Sequence, residues 1–115
     1  MTLLSIGLNH KTAPVDIRER LTFGPDVIVG ALRTITEQTP ADEAVIVSTC
    51  NRTEVYCAHD ASDSHEAIAS VREWIGRFHG IEPQLFAPHL YSHSDRDAVR
   101  HLYKVSSGLD SMVLG

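Results

Sequence analysis

Two apolar segments joined by a short polar turn constrain the fold of this chain more than any other feature of its sequence. The first, EAVIVSTC, spans residues 43–50, and the second, TEVYCAH, spans residues 53–59. β-Branched and aromatic residues favour strands, and only Asn51 and Arg52 separate the two segments, which is the length of a tight turn. The pattern predicts a β-hairpin with Cys50 at its tip, where the side chain is more exposed than its apolar neighbours suggest.

The rest of the chain supplies strands and helices on either side of this hairpin. TLLSIGLN, at residues 2–9, and PHLYSHS, at residues 88–94, are the other strand candidates. Helices are predicted where apolar residues recur at helical spacing beside Pro, Asp or Gly signals: from Pro14 to Leu21, from Pro25 to about Gln38, from Asp63 to Gly80, and after Ser94 or Asp95. This order predicts an α+β fold, a ferredoxin-like, four-stranded, mainly antiparallel sheet with helices packed on one face.

The size and charge of the chain limit what it can do. Its 115 residues, 43% of them hydrophobic, suit one domain, so we expect residues 1–115 to share a single core. The formal net charge of −5, from 10 basic and 15 acidic residues, gives no chain-wide attraction for nucleic acid. An RNA partner would therefore have to meet a local basic patch or another domain.

Compartment signals are few. The N-terminal segment MTLLSIGLNH has no cationic leader, and no apolar run approaches the roughly 20 residues that a membrane-spanning helix needs. Two cysteines seven positions apart do not form a disulfide framework. We expect a cytoplasmic protein in a reducing compartment, with no membrane partner. The last segment, SSGLDSMVLG, ends on apolar residues without linker composition, which indicates a piece of a longer protein.

The two cysteines have different surroundings. Cys50 is followed by Asn51 and Arg52, and a thiol becomes a nucleophile when positive charge favours its thiolate and substrate can reach it. The alternative is a small buried hydrophobe that ends a strand. Cys57 lies inside the second strand of the hairpin, between Tyr56 and Ala58, and is interpreted as a packing residue.

Histidines are the other candidates for chemistry. His101 shares a helix face with apolar residues and is either a hydrogen-bonded core residue or a proton donor and acceptor beside the nucleophile. The seven histidines are scattered, with no His-x-x-x-His on a helix and no Cys-x-x-Cys, so no metal site is expected. There is no Gly-x-Gly-x-x-Gly or P-loop, so these residues lack the usual phosphate cradle of a nucleotide site.

Three segments resemble the N-terminal catalytic domain of glutamyl-tRNA reductases. They are GLNHKTAPVDIRERL at residues 7–21, STCNRTEVY at residues 48–56 and HLYKVSSGLDSMVLG at residues 101–115. The likeness keeps their order and spacing over the whole chain. It implies an oxidoreductase that uses NADPH to reduce glutamyl-tRNA(Glu) to glutamate-1-semialdehyde, the first step of tetrapyrrole (porphyrin and haem) biosynthesis by the five-carbon route.

The resemblance also implies roles for particular residues. Cys50 matches the family nucleophile, which forms a glutamyl thioester, and His101 matches the active-site histidine. The implied substrate-binding residues are Thr49, Asn51, Arg52 and Ser111. The forked guanidinium of Arg52 has the charge and donors to hold a glutamate carboxylate.

The same resemblance implies that the longer enzyme continues past Gly115. It would add an NADPH-binding Rossmann domain and a dimerisation domain, and this chain would support at most thioester formation and hydrolysis. The implied partners are glutamyl-tRNA(Glu), a second copy in a full-length homodimer, and glutamate-1-semialdehyde aminomutase as a candidate. The competing hypothesis is a ferredoxin-like regulatory or protein-docking module in which Cys50 is structural.

Overall fold

The computed structural model of the chain describes residues 1–60 and 63–114, with the side chains of the last helix described as far as Ser107. The strands are β1 (Thr2–Asn9), β2 (Ala41–Ser48), β3 (Arg52–His59) and β4 (Tyr91–Ser94). The helices are α1 (Val15–Arg20), α2 (Ile28–Gln38), α3 (Ser64–His79), α4 (Pro83–Phe86), followed by a 3₁₀ turn (Ala87–His89), and α5 (Arg96–Leu114). The predicted order of strands and helices is confirmed.

The four strands form one sheet in the order β2-β3-β1-β4, and each pairing is antiparallel. β1 lies inside the sheet, between β3 and β4. The predicted hairpin is β2 and β3, whose turn is closed by a 2.8 Å hydrogen bond from the Thr49 N–H to the Arg52 carbonyl. The prediction of an α+β fold with a four-stranded antiparallel sheet is confirmed.

The sheet is covered on both faces, so the prediction that the helices pack on one face is wrong. Successive side chains of a strand point to opposite faces. Val55 belongs to the main core with residues of α2 and α3, whereas its neighbours Glu54 and Tyr56 face α5 through His101. The apolar pattern of α5 indicated which side of that helix is buried, and it carried no information about which face of the sheet receives it.

Helix α3 begins and ends at the predicted signals. Asp63 is its N-cap, and its carboxylate accepts a 2.9 Å hydrogen bond from the His65 N–H. Gly80 ends the helix in the left-handed conformation, with a φ of 67° that disfavours side chains with a Cβ. At the start of α5, the Asp95 carboxylate accepts from the Leu3 N–H at 3.3 Å, which fastens this helix to β1. Among the described residues no helix is long and apolar enough to cross a membrane.

Candidate functional site

The turn between β2 and β3 presents Cys50 to solvent. The Thr49 hydroxyl accepts hydrogen bonds from the backbone N–H groups of Asn51, at 3.2 Å, and Arg52, at 3.3 Å. These bonds let a short polar segment turn tightly, and Cys50 lies exposed within it. The predicted exposure of Cys50 at the hairpin tip is confirmed. Thr49, for which the resemblance implies a role in substrate binding, also organises the turn that carries the thiol.

Cys57 is the opposite case. It is 2% exposed and belongs to the main core. Burial raises the pKa of the Cys57 thiol to about 12, so this sulfur stays protonated near neutral pH. The prediction that Cys57 is a packing residue is confirmed.

A buried carboxylate lies two residues after Arg52. Glu54 is 0% exposed and faces α5. Directly opposite Glu54 on β1 is Gly7, and opposite Gly7 on β4 is Tyr91. A Cβ on Gly7 would lie 2.7 Å from the Glu54 Cγ and 2.5 Å from the Thr53 carbonyl oxygen. Glycine therefore opens the space across β1 in which Glu54 and Tyr91 meet.

Four side chains contact the Glu54 carboxylate. The Tyr56 hydroxyl donates to Oε1 at 3.0 Å, and the Tyr91 hydroxyl donates to Oε2 at 2.5 Å. Oε2 also accepts from His101 Nε2, and Arg52 Nη1 lies 3.5 Å away. Placing a carboxylate in an apolar interior costs several kcal/mol unless hydrogen bonds and opposite charge compensate it. These contacts supply both kinds of compensation.

The two tyrosines remain hydrogen-bond donors over the whole neutral range. Burial, and then the adjacent Glu54 carboxylate, raises the pKa of both Tyr56 and Tyr91. Their hydroxyl protons therefore stay in place and point at Glu54. The carboxylate is held from two sides, with β3 supplying Tyr56 and β4 supplying Tyr91.

His101 is oriented by this carboxylate. Its side chain is 15% exposed, and its Nε2 donates to Glu54. A neutral imidazole that donates from Nε2 has Nδ1 as its proton acceptor, so the hydrogen bond fixes the tautomer. The ring of His93 stacks on His101 with centroids 4.5 Å apart. Burial, and then the neighbouring His101, lowers the pKa of His93, which favours the neutral form of this second imidazole near pH 7.

Arg52 connects the turn to the buried cluster. It follows Cys50 by two positions, and its guanidinium reaches the carboxylate that orients His101. His101 faces the sheet, and its ring contacts Glu54 and Tyr56 there. The Ser111 side chain lies outside the described residues. Within the described residues, no three His, Cys, Asp or Glu side chains converge in a group that could hold a metal ion.

Comparison with known proteins adds the family. Residues 6–115 match the family model described as "Glutamyl-tRNAGlu reductase, N-terminal domain". The chain belongs to the glutamyl-tRNA reductase family.

Individual relatives agree with this assignment. Glutamyl-tRNA reductases of a Marinomonas species and of Nitrosococcus oceani are 49% and 51% identical to it, and each alignment covers 100% of this chain and 26% of the relative. The glutamyl-tRNA reductase structure from Methanopyrus kandleri is 31% identical, with a TM-score of 0.62 over 96% of this chain and 23% of that one. The chain thus spans about a quarter of the length of the relatives that it matches.

Sequence reasoning missed three residues that the structure places around His101: Glu54, Tyr91 and His93. One signal for Glu54 was available. It is the only acidic residue inside TEVYCAH, a segment that otherwise reads as a buried strand. A buried carboxylate requires partners, and a histidine on an apolar helix face requires one too, so the two could have been paired.

Proposed function

We propose that this chain takes the glutamyl group from glutamyl-tRNA(Glu) onto Cys50 as a thioester. The observation that carries the proposal is the position of Cys50, exposed in the turn before β3, whose residues Arg52 and Glu54 meet His101 of α5. The names of the relatives support glutamyl-tRNA as the substrate class. A structural role for Cys50, the competing hypothesis, accords poorly with an exposed thiol.

The proposed step is an acyl transfer. The Cys50 Sγ thiolate attacks the carbonyl carbon of the glutamyl ester, a C–S bond forms, and the C–O bond to the terminal ribose breaks. In this proposal His101 Nδ1 accepts the proton that the Cys50 thiol loses and passes it to the departing ribose oxygen. Water that attacks the thioester breaks the C–S bond, releases glutamate and regenerates the thiol.

Substrate binding is assigned to the turn. In this proposal the Arg52 guanidinium holds the substrate carboxylate while its other side remains against Glu54, since a guanidinium has five donors in a planar fork. Thr49, Asn51 and Ser111 are proposed as further substrate contacts. Glu54 positions both Arg52 and His101 and does not touch the substrate.

Reduction of the thioester is proposed for the longer protein, with NADPH as the hydride source. The residues of this chain do not fit a dinucleotide, because the three connections from a strand into a helix, residues 10–14, 60–63 and 95, contain no glycine. The described sheet is also antiparallel throughout, unlike a Rossmann sheet. No step of the proposed chemistry in this chain is therefore routed through the cofactor.

The wider setting follows the same proposal. In it, residues 1–115 form the N-terminal catalytic domain, and the NADPH-binding and dimerisation domains belong to the rest of the enzyme. The whole enzyme is proposed to act as a homodimer in the cytoplasm, in tetrapyrrole synthesis. Glutamate-1-semialdehyde aminomutase is its proposed partner. The strand order β2-β3-β1-β4 supports assignment of the sheet to the ferredoxin-like, split βαβ kind.

Release of glutamate from glutamyl-tRNA(Glu) by the purified chain tests this proposal. We expect the parent chain and the Cys57→Ala variant to release glutamate at similar rates, because Cys57 is buried away from the turn. Cys50→Ser is expected to lose release at least 100-fold, since a hydroxyl is a far weaker nucleophile than a thiolate. Equal release by Cys50→Ser and the parent would refute the assignment of Cys50.

A further inference from the structure

The outer face of α5 carries basic side chains at a regular interval. Arg96, Arg100 and Lys104 are spaced four residues apart, and all three are exposed. In a helix, residues four apart lie on one side, and each step advances about 6 Å along the axis at 1.5 Å per residue. The three cations therefore form a stripe, which we call the α5 basic stripe, on the exposed surface of the helix.

An exposed aromatic ring accompanies the stripe. Tyr103 is 73% exposed and follows Arg100 by three positions, so it lies beside the stripe on the same side of α5. The buried side of the helix is defined by Ala98 and Val105, at 0% and 4% exposure. Cations that contact phosphates, combined with an aromatic ring on which a base stacks, are the usual elements of a single-stranded nucleic acid site.

The stripe continues into the candidate site. A pocket of about 310 Å³ beside β4 is lined by His93, Asp97, Arg100, His101 and Lys104. Two residues of the α5 basic stripe thus share a pocket with the imidazole that faces Glu54. A single-stranded nucleic acid bound along the α5 basic stripe would have one end near His101.

Local charge favours an anion here although the chain as a whole is acidic. The formal net charge is −5, whereas the stripe brings three cations together. Asp97 forms an exposed ion pair with Arg100 at 3.9 Å, and such pairs contribute little because solvent screens them. The Arg100 side chain is 74% exposed and remains open to a phosphate.

We propose that the α5 basic stripe and Tyr103 bind the single-stranded acceptor end of the tRNA, with the cations on its phosphates and the Tyr103 ring against a base. This inference rests on the proposed function, because it takes glutamyl-tRNA as the substrate. It goes further in naming the surface that guides the RNA terminus to the pocket beside His101.

RNA binding measured by fluorescence anisotropy tests the inference. The probes are uncharged tRNA(Glu) and a short single-stranded RNA with the same 3′ sequence. Arg100→Gln/Lys104→Gln is expected to weaken binding about tenfold and to flatten the salt dependence, by roughly 0.7 in log–log slope for each phosphate that the variant no longer neutralises. Tyr103→Ala is expected to weaken RNA binding about fivefold or more without changing the slope of the salt dependence. Tyr103→Phe keeps the aromatic ring and is expected to bind RNA like the parent.

A matched control separates the stripe from total charge. Arg20→Gln/Arg33→Gln removes two exposed cations from α1 and α2, away from α5, and is expected to bind RNA like the parent. If the two double variants bind RNA equally, or if Tyr103→Ala binds as well as Tyr103→Phe, the inference is wrong.

A second readout distinguishes this inference from the proposed function. A 4-nitrophenyl ester of glutamate carries no RNA, so acylation of Cys50 by it bypasses the stripe. Tyr103→Ala changes a side chain that does not line the pocket beside His101, so this variant is expected to react with the ester like the parent while binding RNA more weakly. RNA binding that depends on the stripe, without reaction at Cys50, would refute the proposed function alone. Reaction at Cys50 by a parent chain that does not bind RNA would refute the stripe alone.

Discussion

The Tyr91 hydroxyl donates a 2.5 Å hydrogen bond to the Glu54 carboxylate across the full width of strand β1. The two residues are on β4 and β3, and the strand between them offers only Gly7 at that level. Residues of β4, β1 and β3 therefore lie side by side at the buried Glu54 carboxylate. The orientation of His101 depends on it, because His101 donates to the same Glu54 oxygen.

Gly7→Ala should therefore damage both the fold and the site. The added methyl would meet the Glu54 Cγ at 2.7 Å and the Thr53 carbonyl oxygen at 2.5 Å, and this oxygen, which is part of the backbone, cannot move without shifting β3. We expect a loss of about 1–3 kcal/mol in the free energy of unfolding, measured with urea. Gly30→Ala is the matched control, because nothing lies within 4 Å of that position in helix α2 and alanine should stabilise the helix by roughly 0.5–1 kcal/mol. Equal stabilities of the two variants would contradict this account.

Glu54→Gln should lower the rate of glutamate release. The amide has one acceptor oxygen in place of two, so it cannot accept from Tyr56, Tyr91 and His101 together, and Arg52 loses its opposite charge. We expect at least a tenfold loss in rate and about 1–3 kcal/mol in unfolding free energy. Glu37→Gln, exposed on α2, should change neither.

Glu54 and His101 can be tested for a shared role in glutamate release. If Glu54 acts through His101, Glu54→Gln/His101→Asn should release glutamate no more slowly than His101→Asn alone. Rates should be corrected for the folded fraction of each variant. Independent, multiplicative losses would show that the carboxylate does not work by orienting this imidazole.

The two thiols should differ in alkylation. Exposed Cys50 should react with iodoacetamide at least tenfold faster than Cys57, whose pKa burial raises to about 12. Peptide mapping by mass spectrometry distinguishes the two sites. In concentrated urea both should react at similar rates, because the difference comes from the fold. Equal, slow labelling of both cysteines in the native chain would favour a structural role for Cys50.

His79 should make the chain less stable in acid. Burial lowers the pKa of His79 below its ordinary value of 6.5, and its ring packs on Phe23 with centroids 4.6 Å apart. Below pH 6.5 the unfolded chain takes up a proton on His79 that the folded chain resists. The contribution of neutral, buried His79 to the free energy of unfolding is therefore complete above that pH and falls as the pH drops toward the folded pKa. His79→Phe should reduce the loss of unfolding free energy between about pH 7.5 and pH 5.5.

The control for this prediction is an exposed histidine. His10→Asn changes an exposed loop residue and should leave the acid dependence of the parent intact. An unchanged pH dependence in His79→Phe would show that other groups account for the loss.

Local patterns were sufficient to predict the elements and their order. Two strand-favouring segments and the short turn between them located the hairpin, and Asp63 and Gly80 marked the ends of α3, because each of these signals acts within a few residues of sequence. The face on which α5 packs was predicted wrongly. The burial of nearly every residue of β3 shows why: this strand needs cover on both sides, and α5 provides the second layer.

The candidate site was predicted only in part. Cys50, Arg52 and His101 stand out by residue type and position, whereas Glu54, Gly7 and Tyr91 meet through the register of three strands. Register depends on pairing between distant segments and is not encoded in the spacing within one of them. The resemblance to glutamyl-tRNA reductases supplied roles for matching residues, and the structure adds the Glu54 carboxylate, which contacts Arg52 and His101.

Formation of a glutamyl thioester on Cys50 is the claim on which the functional account depends. The most direct measurement is mass spectrometry of the chain mixed with glutamyl-tRNA(Glu), quenched in acid and mapped by peptide. The account predicts one added glutamyl group on the peptide that contains Cys50, absent from Cys50→Ser and present in Cys57→Ala. Release of glutamate without any covalent adduct, or an adduct that persists in Cys50→Ser, would contradict it.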